Sequence, residues 1–117
     1  MDYRRSNRVA DLLQQEIADL VFRRVKDPRV SGVTISGVEV TADLQHARVF
    51  FCVMGNPSEE QKKTVSEGLA KACGFLHQEL VKRLHMKHVP RIEFHYDQSF
   101  EYGDKIDRLL KEIQRDE

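Results

Sequence analysis

The groups in this sequence that could do metal or acid–base chemistry are His77, His85 and His88, with Asp97, Asp104 and Asp107 downstream. His85 and His88 stand three positions apart at what reads as a helix end, and His77 lies one helix face away. A transition metal needs further ligands at matching spacing, as in a pair of histidines one helical turn apart with a carboxylate. No cysteine or carboxylate stands at such a spacing, and no H-E-x-x-H is present. A metal-dependent nuclease using His85, His88 and Asp97 is the enzymatic reading these groups allow, and it lacks its motif. Asp104 suits the cap of a last helix. No nucleophile pairs with the aspartates. No catalytic residues, metal or cofactor are therefore expected. Cys52 and Cys73 form no C-x-x-C. They read as small buried hydrophobes in a reducing compartment, the cytoplasm.

The cations support a different chemistry, recognition of phosphate. Arg4 and Arg8 are one helical turn apart, with Arg5 beside them, and guanidinium forks fit phosphate oxygens. Lys26 and Arg29 flank Asp27-Pro28 in a loop. Lys71, Lys82, Arg83, Lys87 and Arg91 form a basic stretch broken only by Glu79, so residues 71–91 are net +4. Residues 1–29 are net +2, residues 30–70 net −2 and residues 92–117 net −4. Over the 117 residues, 19 Lys+Arg balance 19 Asp+Glu. Neutrality excludes a chain that is basic overall, and so an indiscriminate nucleic-acid binder. It leaves room for a polyanion-binding face with an acidic segment elsewhere, which would suppress non-specific RNA binding. Arg48 reads as a solvated strand residue.

These residues need elements to place them, and the length allows one domain, 1–117. No apolar run approaches the roughly 20 residues of a membrane helix. Met1 to Arg8 is polar and basic with no apolar segment behind it, so no signal peptide is expected. Val9, Leu12, Leu13, Ile17, Leu20 and Val21 predict an amphipathic helix over about 6–25, ended by Asp27-Pro28. Residues 33–41 and 45–54 read as an antiparallel hairpin. In the first strand Val33 and Ile35 are out of phase with Val38 and Val40, and a β-bulge at Ser36-Gly37 would return all four to one face. Ser58-Glu59-Glu60-Gln61 has the form of a capping box. The helical stripe behind it runs through Val65, Leu69, Ala72, Leu76, Leu80 and Leu84, and Gly74 predicts two helices meeting at a kink there. A third strand covers about 91–96 and a last helix about 104–114. The strands alternate, so helices should cover one face of a three-stranded mixed sheet in a two-layer α+β domain. Phe50 is the odd apolar residue on the outer face.

The order α-β-β-α-(kink)-α-β, with a C-terminal helix, resembles a type II KH domain. Five pieces narrow the resemblance: Ser6-Asn7-Arg8-Val9-Ala10; Lys26-Asp27-Pro28-Arg29-Val30; Val38 to Val49 across the hairpin; Ala72-Cys73-Gly74-Phe75-Leu76; and Val89 to Ser99, followed by Glu101 and Gly103. Together they are similar to the ribosome-binding factor A family over roughly residues 5–113. The G-x-x-G loop by which KH domains clamp a nucleic-acid backbone is absent, and Ala72-Cys73-Gly74 stands in its place, like that family's A-x-G kink. Ala72 and Gly74 would then be structural, letting two helices meet at a sharp angle.

The resemblance implies an RNA-binding assembly factor without catalytic activity or cofactor. It would be cytoplasmic and monomeric, acting on the immature small ribosomal subunit and its ribosomal RNA, in late maturation and in growth in the cold. Its RNA-binding residues are expected among Arg4, Arg5, Arg8, Lys26, Arg29, Lys71, Lys82, Arg83, Lys87 and Arg91. The alternative is a protein-interaction module using the outer sheet face around Phe50 and the acidic C-terminal helix.

Overall fold

In the computed structural model, which describes residues 3–115, the period-two runs are strands and the period-3.6 runs are helices. Helix α1 spans Tyr3–Arg23 and is followed by a single 3-10 turn, Pro28–Val30. Strands β1 (Val33–Val40) and β2 (His46–Val53) form the hairpin, α2 spans Glu59–Leu84, β3 spans Arg91–Tyr96 and α3 spans Gln98–Arg115. The sheet order is β1-β2-β3, with β1 antiparallel and β3 parallel to β2. The long connection through α2 is what a parallel neighbour requires.

The bulge falls where the phase slip placed it. Ile35 pairs with Phe51 and Gly37 with Phe50, leaving Ser36 as the extra residue. Val33, Ile35, Val38 and Val40 thus share a face with Ala47, Val49 and Phe51. Against that face pack Leu13, Ile17 and Leu20 of α1 and Val65, Leu69, Leu76 and Leu80 of α2. Phe51 lies at the centre, edge-on to Phe94 and Tyr96 at centroid distances of 6.4 and 5.5 Å. Ser36 does more than absorb a residue. Its hydroxyl donates to Asp97 Oδ2 at 2.6 Å, tying the bulge to the start of α3. Cys52, between them in the sheet, is 1% exposed, and burial, with the Asp97 charge beside it, raises its thiol pKa. Cys73 packs against the core, where burial likewise raises its thiol pKa. Both cysteines are free thiols.

The capping box at Ser58 is complete: Gln61 N–H donates to Ser58 Oγ at 3.1 Å, and Ser58 N–H to Gln61 Oε1 at 2.9 Å. Beyond it, the helix differs from expectation. It continues unbroken through Ala72-Cys73-Gly74, one helix of 26 residues where two were expected. A mid-helix glycine costs only about 1 kcal/mol, and Leu69, Leu76 and Leu80, all fully buried, hold the segments on either side to the same core. The last helix begins at Gln98, before the expected 104, so Asp104 is an interior position and has no helix start to cap. Asp97 precedes that start, with Ser99 Oγ donating to its Oδ1 at 2.6 Å. Among the described residues, no helix is long and apolar enough to cross a membrane.

Candidate nucleic-acid interface

Three sets of contacts fix how α1 lies on α2. Arg83 Nη1 donates to Glu16 Oε2 and to Asp19 Oδ2, each at 2.9 Å. The Arg24 guanidinium lies 3.9 Å from Glu79 and 5.9 Å from the centre of the Phe75 ring. Passing forward from Glu16 and Asp19 of α1 to Arg24 just beyond it leads back along α2 from Arg83 to Glu79 and Phe75, so the helices run in opposite senses. Arg4, Arg5 and Arg8 in the first turns of α1 are exposed, as are Lys82 near the end of α2 and Lys87 beyond it.

The expected phosphate contacts divide by environment. Arg83 is half-buried and clamped between two carboxylates, and its hydrogen bond lowers the Asp19 pKa. Arg29 is also engaged. Its Nε donates to both oxygens of Asp27 at 3.0 Å, and its backbone N–H to Oδ1 at 2.9 Å. The Arg29 side chain, first, then its N–H, hold the Asp27 pKa at about 2. Asp27 thereby caps the Pro28–Val30 turn. Lys26 and Lys71 are exposed, and among the described residues neither forms an ion pair. Arg48 is exposed, 3.9 Å from Glu39.

Two grooves flank α2. One, of about 410 Å³, lies between the end of α1, the Asp27 turn and the middle of α2, and is lined by Arg24, Lys26, Gly68, Lys71, Ala72 and Phe75. The other, of about 630 Å³, lies between α2 and β3 and brings Arg91 beside Gly74, His77 and His95. Lys71 and Arg91, neighbours in the charge count, therefore sit on different sides of the helix. The histidines are used separately. His77 Nε2 lies 3.2 Å from the Val89 carbonyl oxygen, and His85 closes α2 in the left-handed region at φ 51°. His95 lies beside Phe50, with ring centres 6.0 Å apart.

Arg24 and Phe75 were not singled out from the sequence. The signal was present: Gly68, Lys71, Ala72 and Phe75 fall at i, i+3, i+4 and i+7, a second face of α2 beside the leucine stripe. What the pattern lacked was the partner, because Arg24 comes from another helix.

The family model Ribosome-binding factor A matches residues 5–110. Ribosome-binding factor A of Syntrophobacter fumaroxidans is 59% identical over all of both chains. The solution structure of a ribosome-binding factor A protein from Thermotoga maritima aligns at TM-score 0.68 and 29% identity, covering 81% of this chain and 88% of that one. The Thermus thermophilus ribosome-binding factor A, as a homology model fitted to the cryo-EM map of a 30S complex, aligns at TM-score 0.61 and 21% identity over 76% of this chain and 91% of that one, a likeness of fold. A family model spanning nearly the whole chain, together with full-length identity to one of its proteins, places this chain in the ribosome-binding factor A family.

Proposed function

We propose that this protein is a non-enzymatic, monomeric RNA-binding factor of the cytoplasm that docks on the immature small ribosomal subunit and assists its late maturation, including processing of its ribosomal RNA and growth in the cold. The observation that carries this reading is the full-length 59% identity to a ribosome-binding factor A. The 30S complex of the Thermus protein supports the choice of subunit. The exposed cations Arg4, Arg5, Arg8, Lys26, Lys71, Lys82, Lys87 and Arg91 supply the phosphate contacts in this reading. Arg29 and Arg83 contribute less, since carboxylates already hold their guanidinium groups.

The test is binding to purified immature and mature small subunits by co-sedimentation, repeated across salt. Phosphate docking gives affinity that falls linearly with log salt concentration, and the slope should drop by about one for each contacting cation removed. Binding no better than that of a neutral control protein, or no salt dependence, overturns the reading.

A specific observation favours a second reading, a protein-interaction module. The apolar stripe of α3, Ile106, Leu109, Leu110 and Ile113, is 38–58% exposed, and Phe50 is only half-buried on the outer sheet face. That reading requires binding that survives replacing Arg8 and Lys87 and is lost with Leu109→Ser and Leu110→Ser.

A further inference from the structure

We propose that the groove between the end of α1, the Asp27 turn and the middle of α2 is a subsite for one unpaired nucleotide of RNA, with its base against Phe75 and its phosphate between Lys26 and Lys71. The proposal rests on the RNA-binding reading above and adds what that RNA must present.

The groove's volume of about 410 Å³ falls in the range of small-ligand sites. Its floor is kept low by two small residues, Gly68 and Ala72. At Gly68 the turn presses so close that a Cβ would sit 3.0 Å from Val30 Cγ1 and 3.1 Å from Arg29 Cβ. The turn is thereby seated on the helix, which sets one wall. The acid in that wall does not cancel the cations facing it, because the Asp27 carboxylate is taken up by Arg29. Lys71 and Asp27 both line the groove, and the Lys71 charge adds to the ionised form of Asp27 that Arg29 already favours.

Phe75 supplies the second half of the chemistry. It is 36% exposed, whereas Leu69, Leu76 and Leu80 of the same helix are fully buried. The Arg24 guanidinium lies over the ring and is paired with Glu79 at 3.9 Å, which leaves Lys26 and Lys71 as the groove cations without an ion pair among the described residues. An exposed aromatic ring beside two cations that have no ion pair among the described residues matches a base and its phosphate. A duplex cannot use such a ring, because its bases are stacked within the helix, whereas a bulge or loop offers an unstacked base.

The test uses the full-length protein and two RNA hairpins that differ only by one bulged fluorescent adenine analogue. The bulged hairpin should bind about tenfold more tightly, about 1.4 kcal/mol, and the analogue's fluorescence should change on binding. Phe75→Ala should remove that preference and leave affinity for the paired hairpin unchanged, while Phe75→Tyr should keep it. Lys71→Gln should weaken the bulged complex in a salt-dependent way, so the outcome does not rest on one variant's folding. Equal binding of the two hairpins, or a preference that survives Phe75→Ala, overturns the subsite. So does binding of neither hairpin. In each case, co-sedimentation of the wild type with immature subunits shows whether only the subsite fails or the RNA-binding reading fails with it. Displacement of the bulged hairpin by millimolar adenosine monophosphate, with paired-hairpin binding unaffected and no fluorescence change from the bulged base, would assign the groove to free nucleotides and overturn the RNA occupant.

Discussion

Two stretches of α2 carry basic residues of the same sequence segment and use them in opposite ways. Near the helix end, Arg83 reaches across to α1 and is held by Glu16 and Asp19. Near the middle, Lys71 faces a groove with Lys26, Arg24 and the open ring of Phe75. The first arrangement fastens α1 to α2. The second leaves charge beside an aromatic surface. A cation's presence in a basic run therefore says little about its availability, and the carboxylates reached from other elements decide it.

The largest effect expected from disturbing this contrast is at Gly68. Gly68→Val forces a branched side chain against Val30 and Arg29, and overpacking of this kind costs about 1–3 kcal/mol. Chemical denaturation should show that loss, together with loosening of the Asp27 turn. Next is charge reversal in the groove. Lys26→Glu with Lys71→Glu should weaken subunit binding by at least about tenfold, or about 1.4 kcal/mol, while the melting temperature stays near that of the wild type. If the melting temperature falls instead, the groove cations are structural and the contrast collapses. Gly74→Ala is the control on the same helix. A Cβ there meets nothing within 4 Å, so the substitution should stabilise by about 0.4–1 kcal/mol.

Arg83→Met sharpens the contrast from the other side. It should lower the melting temperature by loosening α1 from α2, and change subunit affinity by no more than about twofold, about 0.4 kcal/mol. A strong loss of binding with unchanged stability would make Arg83 a contact residue instead. The smallest effect is on acid stability. The Asp27 pKa is about 2 in the folded chain, against roughly 3.9 for an unperturbed aspartate. The fold thus favours the ionised form. Asp27's contribution is fully present above about pH 4 and is lost as pH falls toward 2. Asp27→Asn should flatten that part of the stability profile and leave the profile above pH 5 unchanged in shape.

Much of the architecture was legible because it follows from local periodicity. The strand phases located the bulge at Ser36, since side chains in a strand alternate strictly and a slip of one residue must be absorbed somewhere. Ser58 and Gln61 marked the start of α2 because both partners of the capping box lie within one turn. Helix continuity was misread at Gly74, because propensity registers the glycine's cost but not the buried leucines on both sides that outweigh it. The start of α3 was also placed late. Position 97 marks it through Asp97, whose bond to Ser36 spans 61 residues and has no local signature.

The candidate site was legible in its cations but not in their division. Lys26, Lys71, Lys82, Arg83, Lys87 and Arg91 were all visible as charge in the sequence. Phe75 and Arg24 were missed because an exposed aromatic acquires meaning only from what stands beside it.

The sequence by itself determined the element order, the faces of the strands and the separation of basic from acidic segments, because these depend on residues within a few positions of one another. Only the tertiary structure decided that the Arg83 charge is taken, whereas Arg29 finds its carboxylate two positions away at Asp27. Arg83 meets its carboxylates across 64 and 67 positions of chain. Coulomb interactions depend on distance in space, and the packing of α1 on α2 sets that distance.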